Sequence, residues 1–365
     1  MPSEKTLRAA QNFLIAHIVT IRRRLDLATY RNHVISEGDE VAAWERHHRD
    51  KEYRALSEGL DWAAEEEEAR RCTERCRDLG IEVLLLSDPR YPEMLKSIYD
   101  PPPMLFVRGA AVATLFSRPM VAIVGSRRGD PRSCDFAGRL ARELVENGNV
   151  VVSGLALGID GAAHSGALDG GVEGTVAVFG SGVDAVYPRV HEALARRILD
   201  RRGALLSAYV PGTPAFPAHF LERNRIVTGL SSATVIVQAM ARSGALNSAR
   251  YALEQGREVL AVPGPVRDSR YEGSNRLLKE GAAVVTDPSD LWEYIPGLAR
   301  MTKSQAEPQH HTAHPCVEYL RANGAVPYDQ LLRRFPEDLE LAGAVLELEL
   351  LGIVRREPGN IVRLA

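Results

Sequence analysis

The stretch MVAIVGSR, residues 120–127, decides the fold. Its first five residues are continuously apolar and rich in Val and Ile, which is typical of a parallel strand that is buried on both faces. Gly125 permits a tight turn, and Pro131 followed by an amphipathic run to Asn147 predicts the next helix. In doubly wound folds this first turn faces the ligand, because ligands bind outside the carboxyl ends of the strands and helix N-termini favour phosphate.

Composition sets the outer limits. The chain has 365 residues, with 45% hydrophobic and 25% charged residues and a net charge of −3. This predicts a soluble protein of two or three domains and excludes a globally basic nucleic-acid binder, although a local basic site remains open. There are four cysteines and no disulfide framework. Because no apolar run reaches transmembrane length and no signal-peptide pattern opens the chain, we expect a cytoplasmic protein without a membrane partner.

Periodicity predicts four segments. Residues 1–117 indicate an N-terminal helical domain plus a proline-rich connector, and residues 118–297 alternate strands and helices as a doubly wound, mostly parallel α/β sheet does. Residues 298–312 are polar and aperiodic, as a linker is. Residues 313–365 contain three helical runs and a hairpin, which suggest a winged helix. Since this segment is net acidic, it is predicted to contact protein rather than DNA.

Glycine-rich loops follow four of the predicted strands. They are GSR at 125–127, SGLALGID at 153–160, GSG at 180–182 and PGPV at 263–266. Glycines such as Gly154, Gly180 and Gly182 let backbone N–H groups approach a phosphate. The first turn is not GxGxxG, the second strand does not end in an acid, and there is no Walker A sequence. NAD and ATP are therefore not expected, and no cofactor is predicted.

Arg127 is the distinguishing residue of the first turn. A cation beside a helix N-terminus is unfavourable unless an anion lies between them, so Arg127 predicts a bound phosphate. The alternative is an internal ion pair with a carboxylate such as Asp130 or Asp160.

The run FPAHFLERNRIVT, residues 216–228, carries the second signal. Arg223 and Arg225 flank Asn224, and Phe216 and Phe220 precede them. Arginines beside aromatic residues suit a single-stranded nucleic acid, whose bases stack while its phosphates pair with guanidinium groups. The alternative places one phenylalanine in the core and one arginine in an internal ion pair.

Residues that could suggest catalysis or a metal site have simpler interpretations. Asp160 and His164, spaced i, i+4, are predicted to cap a helix and to pack or hydrogen-bond locally. Cys72 and Cys76 are predicted to be semi-buried helix cysteines because no second ligand pair follows. A cluster of His310, His311, His314 and Cys316 falls in or beside the predicted linker, where nothing fixes ligand geometry. No catalytic residue and no metal are predicted, so the pattern favours binding over catalysis.

Residues 121–290 resemble the DNA-processing protein A family, also called Smf. The matching runs are VAIVGSR, SGLALGIDGAAHSGAL, GSGVDAVYP, RNRIVTGLS, SGALNSARYALEQGREVLAVPG and EGSNRLLKEGA. The resemblance implies a Rossmann-like domain between an N-terminal helical domain of the sterile-alpha-motif (SAM-like) type and a C-terminal winged helix. It also implies a protein that binds single-stranded DNA, protects incoming DNA in natural transformation and passes it to the RecA recombinase. A homodimer through the Rossmann-like domain is expected.

The resemblance also assigns residues to the DNA pocket. Ser126 and Arg127 match the family's GSR, the run from Phe220 to Arg225 matches its RNR segment with Arg223, Asn224 and Arg225, and Ser243 and Gly244 open the run SGALNSA. The chain departs from the family at Ser207-Ala208, where many members have Ser-Glu, and at Gln238, where an acid is common. Pro217 and His219 occupy a neighbourhood where some members supply a basic residue, so the pocket is expected to depend more on arginines.

An enzyme is the competing interpretation. Nucleotide-cleaving phosphoribohydrolases of the lysine-decarboxylase-like group share a related α/β core and carry a PGGxGTxxE run. The nearest equivalents here, GSGVD and ARSGALNSA, lack the glutamate of that run.

Overall fold

The structure is a computed structural model. It describes residues 61–109, 112–300, 315–335, 345, 348–349, 354–357 and 359–364, together with Glu37, Ala42 and Arg46. The chain forms two compact units, residues 1–300 and 301–365. Most of the predicted N-terminal helical domain, the histidines at 310, 311 and 314, and most of the helical run predicted at 338–351 lie outside the described residues.

A nine-stranded sheet forms the centre of the larger unit, in the order β1-β2-β6-β5-β4-β3-β7-β8-β9. The strands from β6 to β9 in that order are mutually parallel. In chain order the strands are β1 Glu82–Leu85, β2 Met104–Gly109, β3 Met120–Val124, β4 Val150–Ser153, β5 Thr175–Phe179, β6 Ala204–Ser207, β7 Ala233–Ile236, β8 Glu258–Ala261 and β9 Ala283–Val284.

Helices connect these strands. They are α1 Trp62–Asp78, α2 Glu93–Lys96, α3 Val112–Phe116, α4 Pro131–Glu146, α5 Ile159–Gly170, α6 Glu192–Asp200, α7 Pro217–Gly229, α8 Gly244–Glu254, α9 Glu272–Lys279 and α10 Leu291–Tyr294. Short 3₁₀ helices cover Arg189–His191, Ser269–Tyr271 and Pro288–Asp290. Strands β3 to β7 are buried along their whole length, which explains their continuous apolar runs. The predicted α/β fold with a mostly parallel sheet is confirmed.

Strand order places the ligand crevice. From β3 the chain builds outward through β4, β5 and β6, and then returns to place β7 on the other side of β3. In open α/β sheets, ligands bind outside the carboxyl ends of the strands at such a reversal of strand order. The crevice is therefore expected beside the turn that follows β3 and the loop that follows β7.

Two antiparallel strands extend the sheet beyond β6. β1 pairs with β2, and β2 pairs with β6. Residues 82–109 therefore belong to the same sheet as the Rossmann-like core, whereas the sequence interpretation placed them with the N-terminal domain, as a connector. The buried run Met104–Val107 shows why: an apolar stretch of four residues does not by itself distinguish a strand of the sheet from a packed connector.

The smaller unit contains helices α11 Pro315–Asn323 and α12 Tyr328–Arg334 and strands β10 Val326–Pro327, β11 Val354–Glu357 and β12 Ile361–Leu364. The strands form an antiparallel sheet in the order β10-β12-β11, and the hairpin predicted from the sequence is the pair β11–β12. Its core includes Cys316, Leu320, Leu331 and Val362. The winged-helix assignment stays a prediction. Throughout the described ranges of both units, no helix combines the length and apolarity needed to cross a membrane.

Candidate nucleic-acid interface

The turn after β3 is held from both sides. The Ser126 N–H donates to the Gln238 carbonyl beyond β7 at 2.8 Å, and the Ser126 carbonyl accepts from the Ile159 N–H at the start of α5 at 3.2 Å. A Cβ on Gly125 would lie 2.7 Å from Ile159, and Gly158 has a φ of +72° with the Ser126 carbonyl directly against it. Both positions therefore need glycine, because a side chain at either one would displace the turn from its place beside the reversal of strand order.

Asp130 fastens the other end of this turn. Its carboxylate caps α4 through the Ser133 N–H and accepts from Gln238 Nε2 and the Tyr271 hydroxyl, each at 2.6 Å. Burial alone would raise the pKa of Asp130, but these hydrogen bonds outweigh it and lower the pKa to about 2. Gln238 Oε1 also accepts the Asp130 N–H. An acid at position 238 would face this carboxylate, whereas the Gln238 amide donates to it.

Arg127 projects from the turn into solvent. Its guanidinium carbon lies 5.3 Å from the centroid of the Phe220 ring. Within the described part of the chain it forms no ion pair: Asp130 pairs instead with Arg270 at 3.7 Å, and Asp160 is buried against Arg223. The structure therefore does not support the internal ion pair that the sequence left open. Arg127 is available to an anion.

Arg223 is internal. Only 4% of the residue is exposed, its guanidinium donates to the Val178 carbonyl, and its charge faces Asp160. Burial raises the pKa of the Asp160 carboxyl, an effect that the Arg223 charge opposes, and Asp160 also accepts the Gly154 N–H at 3.1 Å. The predicted phosphate contact of Arg223 is thus corrected: in this structure its guanidinium does not reach the surface.

The rest of the RNR segment also makes internal contacts. The Arg225 side chain, 15% exposed, donates to the Asp100 carbonyl and lies 3.6 Å from the Asp100 carboxylate. Asn224 Nδ2 donates to the Gly244 carbonyl at 3.2 Å. The segment therefore joins α7 to the loop between α2 and β2 and to the start of α8. Of the three predicted phosphate-contacting arginines, the structure leaves Arg127 exposed.

An aromatic wall stands beside Arg127. It consists of Tyr187, Tyr209, Phe216, His219 and Phe220. The rings of Tyr187 and Phe220 are 5.2 Å apart, His219 stacks on Tyr209 at 4.2 Å, and Phe216 meets His219 edge-on at 5.3 Å. Tyr187 and Phe216 are half exposed. The sequence identified the two phenylalanines but missed both tyrosines, since Tyr187 and Tyr209 come from loops that only the fold brings to α7.

The glycines at the site serve close packing. A Cβ on Gly154 would collide with the guanidinium of Arg223, and a Cβ on Gly180 would lie 3.0 Å from the Phe220 ring. The N–H of Gly154 donates to Asp160, and that of Gly182 donates to the Thr213 carbonyl at 2.9 Å. The predicted donation of these two N–H groups to phosphate is therefore corrected.

Two further predicted residues lie at the start of α8. The Ser243 hydroxyl caps this helix by accepting the Ala245 N–H at 3.2 Å. Gly244 is exposed, and its carbonyl receives the Asn224 amide. Both lie on the β7 side of the crevice, so the structure brings them to the same edge of the sheet as Arg127.

His164, Cys72 and Cys76, which could have suggested catalysis or a metal site, are buried. His164 is fully buried, its Nδ1 is 2.7 Å from the Thr175 hydroxyl, and burial lowers its pKa to about 3. Cys72 and Cys76 are buried on α1. Among the residues that the structure describes, no group of three or more His, Cys, Asp or Glu side chains could hold a metal ion.

The fold and the site define a Rossmann-like α/β protein whose crevice presents a cation and aromatic rings instead of a dinucleotide fingerprint. The chain belongs to the DNA recombination-mediator protein A family, whose model matches residues 82–296. The predicted family resemblance is confirmed.

Known proteins of this family resemble most of the chain. Protein Smf of Escherichia coli is 38% identical over 284 residues, which are 75% of each chain, and DNA processing protein DprA of Bacillus subtilis is 39% identical over 60% of this chain and 73% of its own. The X-ray structure of DprA from Streptococcus pneumoniae has a TM-score of 0.59 at 32% identity, covering 73% of this chain and 93% of that one. A structure concerned with the single-stranded DNA binding mode of DNA processing protein A from Helicobacter pylori has a TM-score of 0.52 at 32% identity, covering 58% and 93%.

Proposed function

We propose that this chain binds single-stranded DNA at the crevice beside β3, protects incoming DNA in natural transformation and loads the RecA recombinase onto it. One observation carries the proposal: Arg127 is exposed at the strand-order reversal, lies over Phe220 and forms no ion pair within the described residues, although its charge reaches the buried Asp160. Single-stranded DNA binding by the Helicobacter pylori relative supports the same ligand for this chain.

The aromatic wall favours a single strand over a duplex. Bases in a duplex are stacked and paired, whereas the unstacked bases of a single strand can lie against exposed rings. Each base that stacks on an aromatic side chain contributes about 1–3 kcal/mol, with little dependence on sequence. Phe220 and the half-exposed Tyr187 and Phe216 are placed for this contact. Arg127 supplies the phosphate contact beside them.

Arg223 and Arg225 support this surface through internal contacts. Arg223 lies beneath the 153–160 loop and beside the carboxyl end of β5, and Arg225 anchors α7 to Asp100. Since α7 carries Phe220, both arginines hold the aromatic wall in place without contacting phosphate. Of these three arginines, Arg127 therefore supplies the direct electrostatic contribution.

A titration of labelled oligonucleotides across a range of salt concentrations tests the ligand. We expect tighter binding of a single-stranded oligomer than of a duplex, and a log–log salt slope of roughly −0.7 for each phosphate contacted. Equal affinity for both forms, or no binding, would contradict the proposal. Release of free base from nucleoside monophosphates would instead support the phosphoribohydrolase alternative.

The partner proposals need separate tests. Loading is expected to appear as faster assembly of recombinase filaments on DNA already covered by single-strand-binding protein, compared with recombinase alone.

A homodimer through the Rossmann-like unit is expected to give twice the chain mass by light scattering. In that unit the edge strand β9 leaves Val284 43% exposed, as an unpaired sheet edge available to a second copy.

A further inference from the structure

Exposed cations gather at the carboxyl edge of the sheet. Within the described part of the chain, six exposed arginines of the loops and helix starts at this edge make no ion pair. They are Arg127, Arg128, Arg132, Arg189, Arg242 and Arg267. The loop after β6 is different, because residues 208–222 contain no lysine or arginine and end at the exposed Glu222.

The loops after β7 and β8 each pair an exposed apolar side chain with an exposed arginine. Met240 is 48% exposed and precedes Arg242 by two residues, and Val266 is 93% exposed and directly precedes Arg267. We call these four residues the β7–β8 track. Apolar contact with bases beside cationic contact with phosphates is the combination that a single strand needs.

Backbone hydrogen bonds link this track to the Arg127 turn. The Ser126 N–H donates to the Gln238 carbonyl at 2.8 Å, and two residues later Met240 begins the track. The Gly273 N–H donates to the Ala239 carbonyl at 2.8 Å, which ties the loop after β7 to the segment that follows β8. The three loops therefore form one connected edge. Adjacent strands are about 4.8 Å apart, so β3, β7 and β8 span roughly 10 Å.

The charges near the β7–β8 track favour the binding of phosphate there. In the segment between β8 and α9, Asp268 pairs with Arg270 at 2.6 Å, and Arg270 also lies 3.7 Å from Asp130. These pairs neutralise two carboxylates that would otherwise repel a phosphate, while Glu272, the first residue of α9, is an exposed acid. Arg242 and Arg267 form no ion pair within the described residues.

We propose that a single strand bound at Arg127 continues across the ends of β7 and β8 along the β7–β8 track, where Arg242 and Arg267 contact successive phosphates and Met240 and Val266 contact bases. This inference rests on the proposed function and extends it by giving the strand a direction across the sheet. At the ~3.4 Å rise of stacked nucleotides, roughly three nucleotides reach from Arg127 to the far end of the track.

The test compares the full chain with the double variant Arg242→Ala/Arg267→Ala. Its matched control is Arg250→Ala/Arg276→Ala, which removes the same charge from exposed positions of α8 and α9 that pair with Glu254 and Glu280. Affinity across salt is measured for an oligothymidine of about 15 nucleotides, which covers the whole track. It is also measured, by competition, for a thymidine dinucleotide, whose single phosphate pairs with Arg127 and leaves none for Arg242 or Arg267.

We expect the double variant to bind the long strand more weakly, with its salt slope reduced by roughly 1.4, while dinucleotide affinity stays unchanged. The control variant is expected to leave the salt slope of the long strand and the dinucleotide affinity close to those of the unaltered chain. A double variant that matches the control on the long strand overturns the track and leaves the proposed function standing if Arg127→Ala still weakens both ligands. If the double variant loses the same affinity for the dinucleotide as for the long strand, the track is also overturned. Failure of the unaltered chain to bind single strands overturns both proposals.

Discussion

Arg127, Arg223 and Arg225 lie near the crevice, but the surroundings of their guanidinium groups differ. The fold buries Arg223 against Asp160 and ties Arg225 to Asp100, while Arg127 stays exposed. The sequence could not separate them because the partner of Arg225 lies 125 residues away and the partner of Arg223 lies on a different helix.

Arg223→Ala is expected to destabilise the protein by about 3–5 kcal/mol, because it leaves the buried Asp160 carboxylate without its compensating charge. Arg127→Ala is the control and is expected to change the free energy of unfolding by less than about 0.5 kcal/mol, because its side chain is exposed. Denaturant unfolding of the three proteins measures the difference. Wild-type stability in Arg223→Ala would show that the buried pair is not structural.

His164 predicts a pH dependence of stability. Burial lowers its pKa to about 3, whereas the unfolded chain takes up the proton near the ordinary value of 6.5. The unfolded state thus binds more protons between these values, so this contribution to stability is complete above pH 6.5 and is lost as the pH falls toward 3, by up to about 1.4 kcal/mol per pH unit.

His164→Gln removes this contribution while keeping a polar partner for Thr175. We expect the stability difference between wild type and variant to move in favour of the variant as the pH falls from about 6.5 to 4. Urea unfolding at several pH values measures it. A difference that is constant across this range would mean that His164 takes up its proton in the folded state.

At the scale of elements, continuous apolar runs made the buried parallel strands predictable. Met120–Val124 and Thr175–Phe179 are both fully buried strands, and the glycine turn after β3 lies where the sequence placed it. The roles of the glycines were harder to predict from the sequence. Gly154 and Gly180 make room for Arg223 and Phe220, and such close approaches depend on side chains that are distant in sequence.

Among the glycines between α4 and α5, Gly166 makes the closest approach to the facing helix. A Cβ on Gly166 would collide with the backbone carbonyl of Gly138, which cannot yield as a side chain does, whereas a Cβ on Gly138 would meet only the Ala162 carbonyl at 3.6 Å. Gly166→Ala is expected to lower stability by about 1–3 kcal/mol through overpacking. Gly138→Ala, the matched control, is expected to be neutral or to stabilise by up to about 1 kcal/mol, since alanine is the better helix former.

Thermal and denaturant unfolding of both glycine variants measures this contrast. If Gly166→Ala were as stable as Gly138→Ala, the helices would have to separate without cost, and the close crossing would not be a requirement of the fold.

At the scale of the whole molecule, net charge conceals the site. A net charge of −3 argues against a nucleic-acid binder, yet six exposed arginines without ion pairs in the described residues lie at the carboxyl edge of the sheet. The strand order places that edge at the reversal beside β3, where α/β proteins bind ligands. The sequence predicted the class of fold and the first turn, but the joining of β1 and β2 to the sheet and the aromatic wall required the three-dimensional structure, because both depend on contacts between distant segments.

The central claim is that Arg127 contacts a phosphate of single-stranded DNA, and its most direct test is the salt dependence of binding in Arg127→Ala. Arg139→Ala, which removes an exposed arginine paired with Asp135 on α4, serves as the control. We predict weaker binding by Arg127→Ala and a log–log salt slope reduced by roughly 0.7, with the control close to wild type. An Arg127→Ala protein with wild-type affinity and an unchanged slope would contradict the account.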